Sequence, residues 1–114
     1  MAVPAFAAET APFEQARFAA AQKEGRPILV DIRASWCPIC AAQKPIIERL
    51  STKPEFKTLI IFTVDFDKQK DAVRGFGAQM QSTLIGFKGM KETGRSVGDT
   101  EEPSIEHLLQ STLG

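Results

Sequence analysis

The sequence has few of the residues on which several common protein classes depend. Only two of its 114 residues are cysteine, which is too few for a disulfide framework. Only one residue is histidine. Basic and acidic residues number 14 each, without the basic excess that nucleic-acid-binding proteins usually carry. No apolar run approaches the roughly 20 residues that a membrane-spanning helix needs. With no repeat or low-complexity tract either, the composition is that of one globular domain, large enough to bury its own core.

What cysteine there is lies in one place. The segment 36–40 reads Trp-Cys-Pro-Ile-Cys, and it follows the strand-like apolar run 28–32. Cys37 and Cys40 can form and reopen a disulfide with each other, but the loop between them is too small to brace a fold. A C-x-x-C motif beside a β-α-β pattern indicates a thiol–disulfide redox site. Half of a zinc site and an inert buried pair are the alternatives.

Periodicity and turn residues predict the order of elements along the chain. Proline indicates the first position of a helix, and glycine indicates where a helix stops. Apolar runs rich in β-branched residues indicate the strands. The predicted order is a helix from Pro12, a strand over 28–32, a helix from 37 to 50 with a kink at Pro45, a strand over 59–64, a short helix over 69–76, strands over 83–88 and 92–97, and a helix from Pro103. This order predicts an α/β domain over 12–114, with a four-stranded mixed sheet and helices on both faces.

The first eleven residues differ from the rest. We expect residues 1–11 to form a flexible N-terminal segment. Within it Ala5-Phe6-Ala7 fits a small-x-small cleavage site, so it can be the remnant of a secretory signal peptide. A secreted or periplasmic location follows from this interpretation, with a cytoplasmic location as the alternative.

The combined pattern resembles the thioredoxin family from about Phe13 onward. The resemblance is carried by the run 28–31 followed by the segment 34–40, by Pro45 within the next helix, and by the strand and turn over 83–89. It implies a three-layer thioredoxin-like fold and a thiol–disulfide oxidoreductase that uses a redox-active Cys37–Cys40 disulfide and no other cofactor. Its partners would be protein thiols or disulfides and a redox recycling partner, and we expect a monomer.

The resemblance assigns roles to three residues. Cys37, at a helix N-terminus, would be the exposed attacking thiolate, with a pKa below the free-thiol value of about 8.5. Cys40 would be the more buried resolving thiol. Asp31, a carboxyl on a buried strand, would have a raised pKa and exchange a proton with Cys40.

A second group of residues is expected to contact the protein substrate. Trp36 would shield the site and offer apolar surface next to the nucleophile. The other expected substrate-binding residues are Pro38, Ile39, Gln81, Ser82 and Thr83.

The chain departs from the family pattern at two positions. The lysine that often accompanies the buried acid is replaced by Thr63, so the charge partner of Asp31 is expected to be absent. The cis-proline that faces the cysteines is replaced by Ser82. A cis bond before a non-proline residue costs about 2.5–4 kcal/mol, so we expect the Gln81–Ser82 bond to be trans in a rebuilt loop.

The missing proline leaves several functions open. Ser82 can hydrogen-bond to Cys37, or it can simply be tolerated. Without the proline, the opened site can also hold a metal or an iron–sulfur cluster shared between two chains, because one C-x-x-C supplies only two ligands. A further alternative is a protein-binding scaffold with idle cysteines.

Overall fold

The computed structural model describes residues 8–114, so the proposed cleavage site Ala5-Phe6-Ala7 lies outside the described residues. The strands and helices follow the predicted order, with one strand added at the start. They are β1 (Glu9–Pro12), α1 (Gln15–Lys23), β2 (Pro27–Arg33), α2 (Pro38–Ser51), a 3-10 turn (Pro54–Phe56), β3 (Ile60–Asp65), α3 (Lys70–Gly75), β4 (Thr83–Lys88), β5 (Lys91–Val97) and α4 (Glu102–Ser111).

The sheet has five strands in the order β1-β3-β2-β4-β5, not the four predicted. The first three strands in the chain run parallel to one another. Strand β4 is antiparallel to β2, and β5 is antiparallel to β4. The missed strand is β1, which covers residues assigned to the flexible segment and to the start of the first helix. It pairs along β3, from Glu9 beside Ile60 to Pro12 beside Thr63. The first helix consequently begins at Gln15.

The central strand β2 is covered on both faces. Successive side chains of a strand point to opposite faces, so Ile28, Val30 and Ile32 enter one core while Leu29 enters the other. The first core contains side chains of α1 and α3 and an aromatic group around Phe18. The second contains side chains of α2 and α4. Helices therefore cover both faces, and the predicted α/β class is confirmed.

Helix α2 begins directly above the end of β2. Four residues, 34–37, connect the strand to Pro38, whose fixed φ and missing N–H suit the first position of a helix. Pro45 lies inside the helix as predicted. Ile46, Ile47 and Leu50 are buried against the sheet, which fixes the helix and its N-terminal end over β2. Within residues 8–114, no helix is long and apolar enough to cross a membrane.

Phe18 offers a test of the core that lies opposite the cysteines. Its ring lies within 5.3–5.8 Å of the rings of Phe13, Phe62, Phe76 and Phe87, between ring centroids. We expect Phe18→Ala to lower the free energy of unfolding by about 3–5 kcal/mol, because it leaves a cavity among these rings. Urea unfolding measures the loss. Met90→Ala is the control, since Met90 is 75% exposed and should change stability little. Equal effects of the two variants would contradict this account of the core.

Candidate active site

The two cysteines flank the first turn of α2. Cys37 is the N-cap residue, with an extended backbone, and Cys40 lies in the first turn. The backbone N–H of Cys40 donates to the Cys37 sulfur over 3.1 Å. The first amides of a helix have no partner within the helix, and they carry its positive end. The Cys37 sulfur therefore lies where a thiolate is stabilised.

Neither thiol is exposed. Both cysteines are free, and Cys37 is 3% and Cys40 8% exposed. The expectation of an exposed Cys37 above a more buried Cys40 is therefore wrong for this conformation. The reason is local packing: the two cysteines form a small apolar cluster with Ala34, and the partly buried Phe66 packs against it. The thiols differ in their hydrogen bonds and not in their exposure.

The pKa values of the two thiols are shifted in opposite directions. Burial by itself raises the pKa of Cys37, but hydrogen bonds from the Cys40 thiol and amide, from the Gln81 side chain and from the Ile39 amide outweigh it and lower the pKa. Burial raises the pKa of Cys40 to about 11, together with the hydrogen bond to Cys37 and its charge, against backbone hydrogen bonds from Ala34 and Ser82. Cys37 is thus the thiolate of the pair, and Cys40 is the proton-bearing thiol.

Asp31 is buried as predicted, but it does have a charged partner. The Arg33 Nη2 atom lies 2.5 Å from its Oδ2 atom, and the Asp31 side chain is almost fully buried while that of Arg33 is partly exposed. Asp31 pairs with Thr63 of β3 in the sheet, as expected, so the neighbouring strand supplies no charge. Instead, Arg33 lies two residues further along the same strand, and therefore on the same face. The lysine of the family pattern is therefore absent as expected, and Arg33 is a charged partner that the sequence did not predict.

The balance of forces on Asp31 favours its neutral form. Burial raises the pKa of this carboxyl, and the charge and hydrogen bond of Arg33 offset part of the rise. A buried carboxyl whose pKa is raised is a candidate for proton transfer. By strand alternation Asp31 shares the face of Leu29, the face that α2 covers. Asp31 and the cysteines therefore lie on the same side of the sheet.

A cavity of about 420 Å³ opens beside the cysteines on this side. Its wall combines Cys37 and Cys40 with Arg33 and Thr63 from the strands and Lys44 from the helix. Water that fills such a cavity can reach the sulfur of Cys40 and the guanidinium that holds Asp31. The cavity thus provides a route for protons between solvent and the site.

The loop before β4 faces the cysteines without a proline. The structure describes no cis peptide bond between residues 8 and 114, so the Gln81–Ser82 bond is trans as expected. Ser82 has a φ of 60°, in the left-handed region that non-glycine residues rarely occupy. Its hydroxyl donates to the Gln81 carbonyl oxygen and not to Cys37, so one expected role of Ser82 is not observed. The Gln81 side chain instead contributes to the lowered pKa of Cys37, and the Ser82 backbone offsets part of the rise in the pKa of Cys40.

Three large apolar side chains are exposed on the segments that carry the cysteines and precede β4. Trp36 is 58% exposed, and its Nε1 atom donates to the Asp67 Oδ2 atom over 2.7 Å, which fixes the ring on the surface. Ile39 and Met80 are also exposed, one between the cysteines and one on the facing loop. Pro38 is exposed and Gln81 half-buried, but Ser82 and Thr83 are buried. The side chains of these last two residues present no surface to a substrate in this conformation.

Sequence reasoning missed two residues of the site, Arg33 and Gln43. A charge at the end of a strand usually indicates exposure to solvent, and nothing local in the sequence shows that Arg33 turns back to Asp31. Gln43 is buried on α2, where the apolar pattern drew attention only to its neighbours. Among residues 8–114, no group of three or more histidine, cysteine or acidic side chains is placed to hold a metal ion.

The thioredoxin family model matches residues 9–111. The chain is similar to a thioredoxin of Aspergillus fumigatus, at 30% identity over 90 residues that cover 79% of this chain and 81% of that protein. It is also similar to a thioredoxin of Borreliella burgdorferi, at 32% identity over 78% of this chain and 75% of the other.

The fold of the chain is also similar to that of solved structures. The crystal structure of Trxlp from Edwardsiella tarda superposes with a TM-score of 0.86 at 38% identity, over 89% of this chain and 98% of that one. A thioredoxin mutant from Halobacterium salinarum superposes with a TM-score of 0.79 at 20% identity, a likeness of fold alone.

Asp31→Asn tests the burial of an ionisable group. The pKa of Asp31 is higher in the folded protein than its value of 3.8 in the unfolded chain. The stability linked to its neutral form is therefore fully present below pH 3.8 and is lost as the pH rises through the folded-state pKa. We expect Asp31→Asn to be more stable than the wild type at neutral and alkaline pH, by about 1.4 kcal/mol per unit of pKa difference. Urea unfolding from pH 3 to 9 should show this gain shrinking toward acid pH. A gain that does not change with pH would contradict the raised pKa.

Proposed function

This chain belongs to the thioredoxin family, and we propose that Cys37 and Cys40 are the pair through which it exchanges disulfides with protein substrates. Thioredoxins are thiol–disulfide oxidoreductases that act on protein disulfides and need no cofactor, so the chain is an enzyme of this class. The observation that carries the proposal is the donation of the Cys40 amide to the Cys37 sulfur at the start of α2.

The reductive direction can be written as two exchanges. The Cys37 thiolate attacks one sulfur of a substrate disulfide, so the substrate S–S bond breaks, a mixed disulfide forms on Cys37, and the leaving thiolate takes up a proton. Cys40 then loses its proton and attacks the Cys37 sulfur, which releases the second substrate thiol and leaves a Cys37–Cys40 disulfide. The substrate gains two electrons and the protein loses two. The reverse sequence oxidises a substrate dithiol.

Asp31 is proposed as the proton partner of the second step. Cys40 has a pKa of about 11, so it needs a base in order to attack near neutral pH. Asp31 is a buried carboxyl on the face that α2 covers, and the cavity beside Cys40 opens onto its partner Arg33. A water in that cavity can carry the proton between the two groups.

Trp36, Ile39 and Met80 support the choice of protein substrates. Exposed apolar groups around a reactive sulfur provide a contact surface that a small thiol does not need. Pro38 and Gln81 complete this accessible surface. Ser82 and Thr83 are proposed to act from beneath it, through the shape of the loop.

The two alternative functions receive less support. A metal or cluster shared between two chains would use both sulfurs as equal ligands, whereas the hydrogen bonds here separate their pKa values. An idle scaffold would not require that separation. The oxidising compartment, the monomeric state and the redox partner that recycles the enzyme stay predictions.

Single cysteine variants test the assignment of attacker and resolver. Cys37→Ala should abolish the reduction of insulin by dithiothreitol-recycled protein, because no other thiolate is available. Cys40→Ala should also lose turnover but should accumulate a mixed disulfide with a target protein, visible on non-reducing gels and cleaved by dithiothreitol. A mixed disulfide that instead accumulates in Cys37→Ala would reverse the two roles. Wild-type activity no higher than that of Cys37→Ala would refute the proposed function.

The separation of the two pKa values predicts selective alkylation. In the reduced protein, iodoacetamide should modify Cys37 with a pH midpoint below about 8.5, the value of a free thiol. Cys40 should react only near pH 11. Peptide mass spectrometry after short exposures from pH 5 to 11 distinguishes the two sites. Coincident profiles would mean that the hydrogen bonds do not differentiate the thiols.

A further inference from the structure

A buried carboxyl serves as a base only while it is ionised, and most of the surroundings of Asp31 oppose its charge. The side chain of Asp31 is 3% exposed. Its neighbours across the sheet are Thr63 on β3 and Leu84 on β4, so neither position supplies a charge. An ionised carboxylate without a cation or donors is very unfavourable in such a place, and the group takes up a proton instead. Asp31 can therefore accept a proton from Cys40 only if another group holds its charge.

Arg33 is placed to hold that charge. Its Nη2 atom donates to the Asp31 Oδ2 atom over 2.5 Å, and among residues 8–114 no other hydrogen bond to the Asp31 side chain is formed. The backbone of Arg33 is fixed by the sheet, because it pairs with Asp65 on β3 and its carbonyl oxygen accepts from the Phe66 amide over 2.9 Å. A hydrogen bond between ionised groups is stronger than one between neutral groups, so this contact opposes the effect of burial.

Arg33 also connects Asp31 to the cavity beside the cysteines. Its side chain is 34% exposed and lines this cavity together with Cys40, whereas Asp31 is not part of the cavity wall. A guanidinium stays protonated in proteins, so it does not relay a proton itself. It carries five N–H donors, and those that Asp31 does not use can bind water. Water in the cavity can therefore bind to the guanidinium and reach the sulfur of Cys40.

The geometry points to Arg33 as a positioning residue: we infer that Arg33 holds the buried Asp31 carboxyl in its ionised form, next to the cavity that Cys40 lines, for the resolving step. This inference rests on the proposed function and deepens it. In that step the S–H bond of Cys40 breaks, and its proton passes through cavity water to the Asp31 carboxylate. The Cys40 sulfur attacks the Cys37 sulfur, the bond from Cys37 to the substrate breaks, and the leaving thiolate takes up a proton from solvent. Asp31 then returns its proton to solvent.

The inference sets the direction of a pH effect. Burial raises the pKa of Asp31, and the charge and hydrogen bond of Arg33 offset part of the rise. Without Arg33 the carboxyl keeps its proton up to a higher pH, so it is available as a base only at higher pH. The resolving step should then slow on the acid side of its pH profile. The attack by Cys37 does not use Asp31 and should not slow.

Two other charged side chains face the same cavity. Asp65 lies at the end of β3, and its Oδ1 atom accepts two backbone amides of the turn that follows, which ties it to that turn. Lys44 lies on α2 one turn after Cys40, and the ion pairs within residues 8–114 do not include it. Lys44 therefore gives the cavity a positive charge without an ion pair to Asp31. Its substitution separates the effect of the Arg33 contact from that of the general field.

Dithiodipyridine separates the two exchanges in a single turnover of the reduced protein. This small disulfide releases one thiopyridone when Cys37 attacks it and a second when Cys40 resolves the mixed disulfide, and stopped-flow absorbance follows both. The second release is recognised by a rate that does not depend on reagent concentration and by its loss in Cys40→Ala. Because the reagent is uncharged near neutral pH, removing a cation from the protein does not change its attraction to the site.

Arg33→Met keeps the length of the side chain and removes its charge. We expect this variant to move the pH profile of the second release to higher pH. At a fixed pH on the acid side of the profile the second release should slow about tenfold, the factor for a displacement of one pH unit, while the first release stays near that of the parent. Arg33→Lys keeps the charge without the planar fork and should lie between the two. Lys44→Met should leave the second release near that of the parent, and an equal slowing in Lys44→Met would overturn the inference.

Asp31→Asn shows whether Arg33 acts through the carboxyl. The second release should be slow in Asp31→Asn, and adding Arg33→Met should slow it no further. A further tenfold loss in the double variant would overturn the inference.

A purely structural role of Arg33 gives a different result. Urea unfolding then changes in Arg33→Met while the pH profile of the second release does not move, and the inference is wrong. If Arg33→Met does not fold, Arg33→Gln gives the same two readouts. A parent protein without any second release would refute the proposed function itself, whereas a second release that Arg33→Met leaves unchanged overturns this inference alone.

Discussion

The site depends on the burial of β2 on both faces. This strand lies between β3 and β4 in the sheet and between two apolar cores, so its residues from Pro27 to Ile32 are all buried. A polar side chain on such a strand must find a partner or remain uncharged. Asp31 does both in part, because it contacts Arg33 and its pKa is raised. The strand also fixes where α2 can begin, since only four residues separate them. The position of the Cys37 sulfur at the helix N-terminus is therefore a consequence of how β2 is packed.

The same packing explains how two identical side chains acquire different chemistry. Both sulfurs are buried, so exposure alone would give both thiols raised pKa values. The difference comes from the direction of the donors, because the Cys40 thiol and amide both donate to Cys37. Cys40 receives fewer compensating hydrogen bonds and keeps its proton. An attacking thiolate and a protonated resolver thus follow from one helical turn, with no need for a charged residue at the sulfurs.

The sequence predicted the parts of this arrangement that depend on local patterns. The apolar run of β2, proline at the first position of α2 and the β-rich run of β4 each have a local cause, and all three elements were placed correctly. The strand β1 was missed because four residues ending in proline carry no strand pattern, and only pairing with β3 defines them. Arg33 and Gln43 were missed for a related reason. Their partners, a buried carboxyl and a carbonyl oxygen 39 residues away, are set by tertiary packing.

The replacement of proline by Ser82 changes what the facing loop can do. A proline there would contribute shape alone, whereas the loop in this chain brings the Gln81 side chain to Cys37, where it helps to lower the pKa of that thiol. Donors stabilise thiolates, and a disulfide has no charge for them to stabilise. By stabilising the Cys37 thiolate, the Gln81 side chain therefore favours the reduced pair and moves the couple toward a more oxidising potential. A displacement of this loop that takes the Gln81 side chain away from Cys37 would therefore raise the pKa of that thiol and lower the potential of the couple.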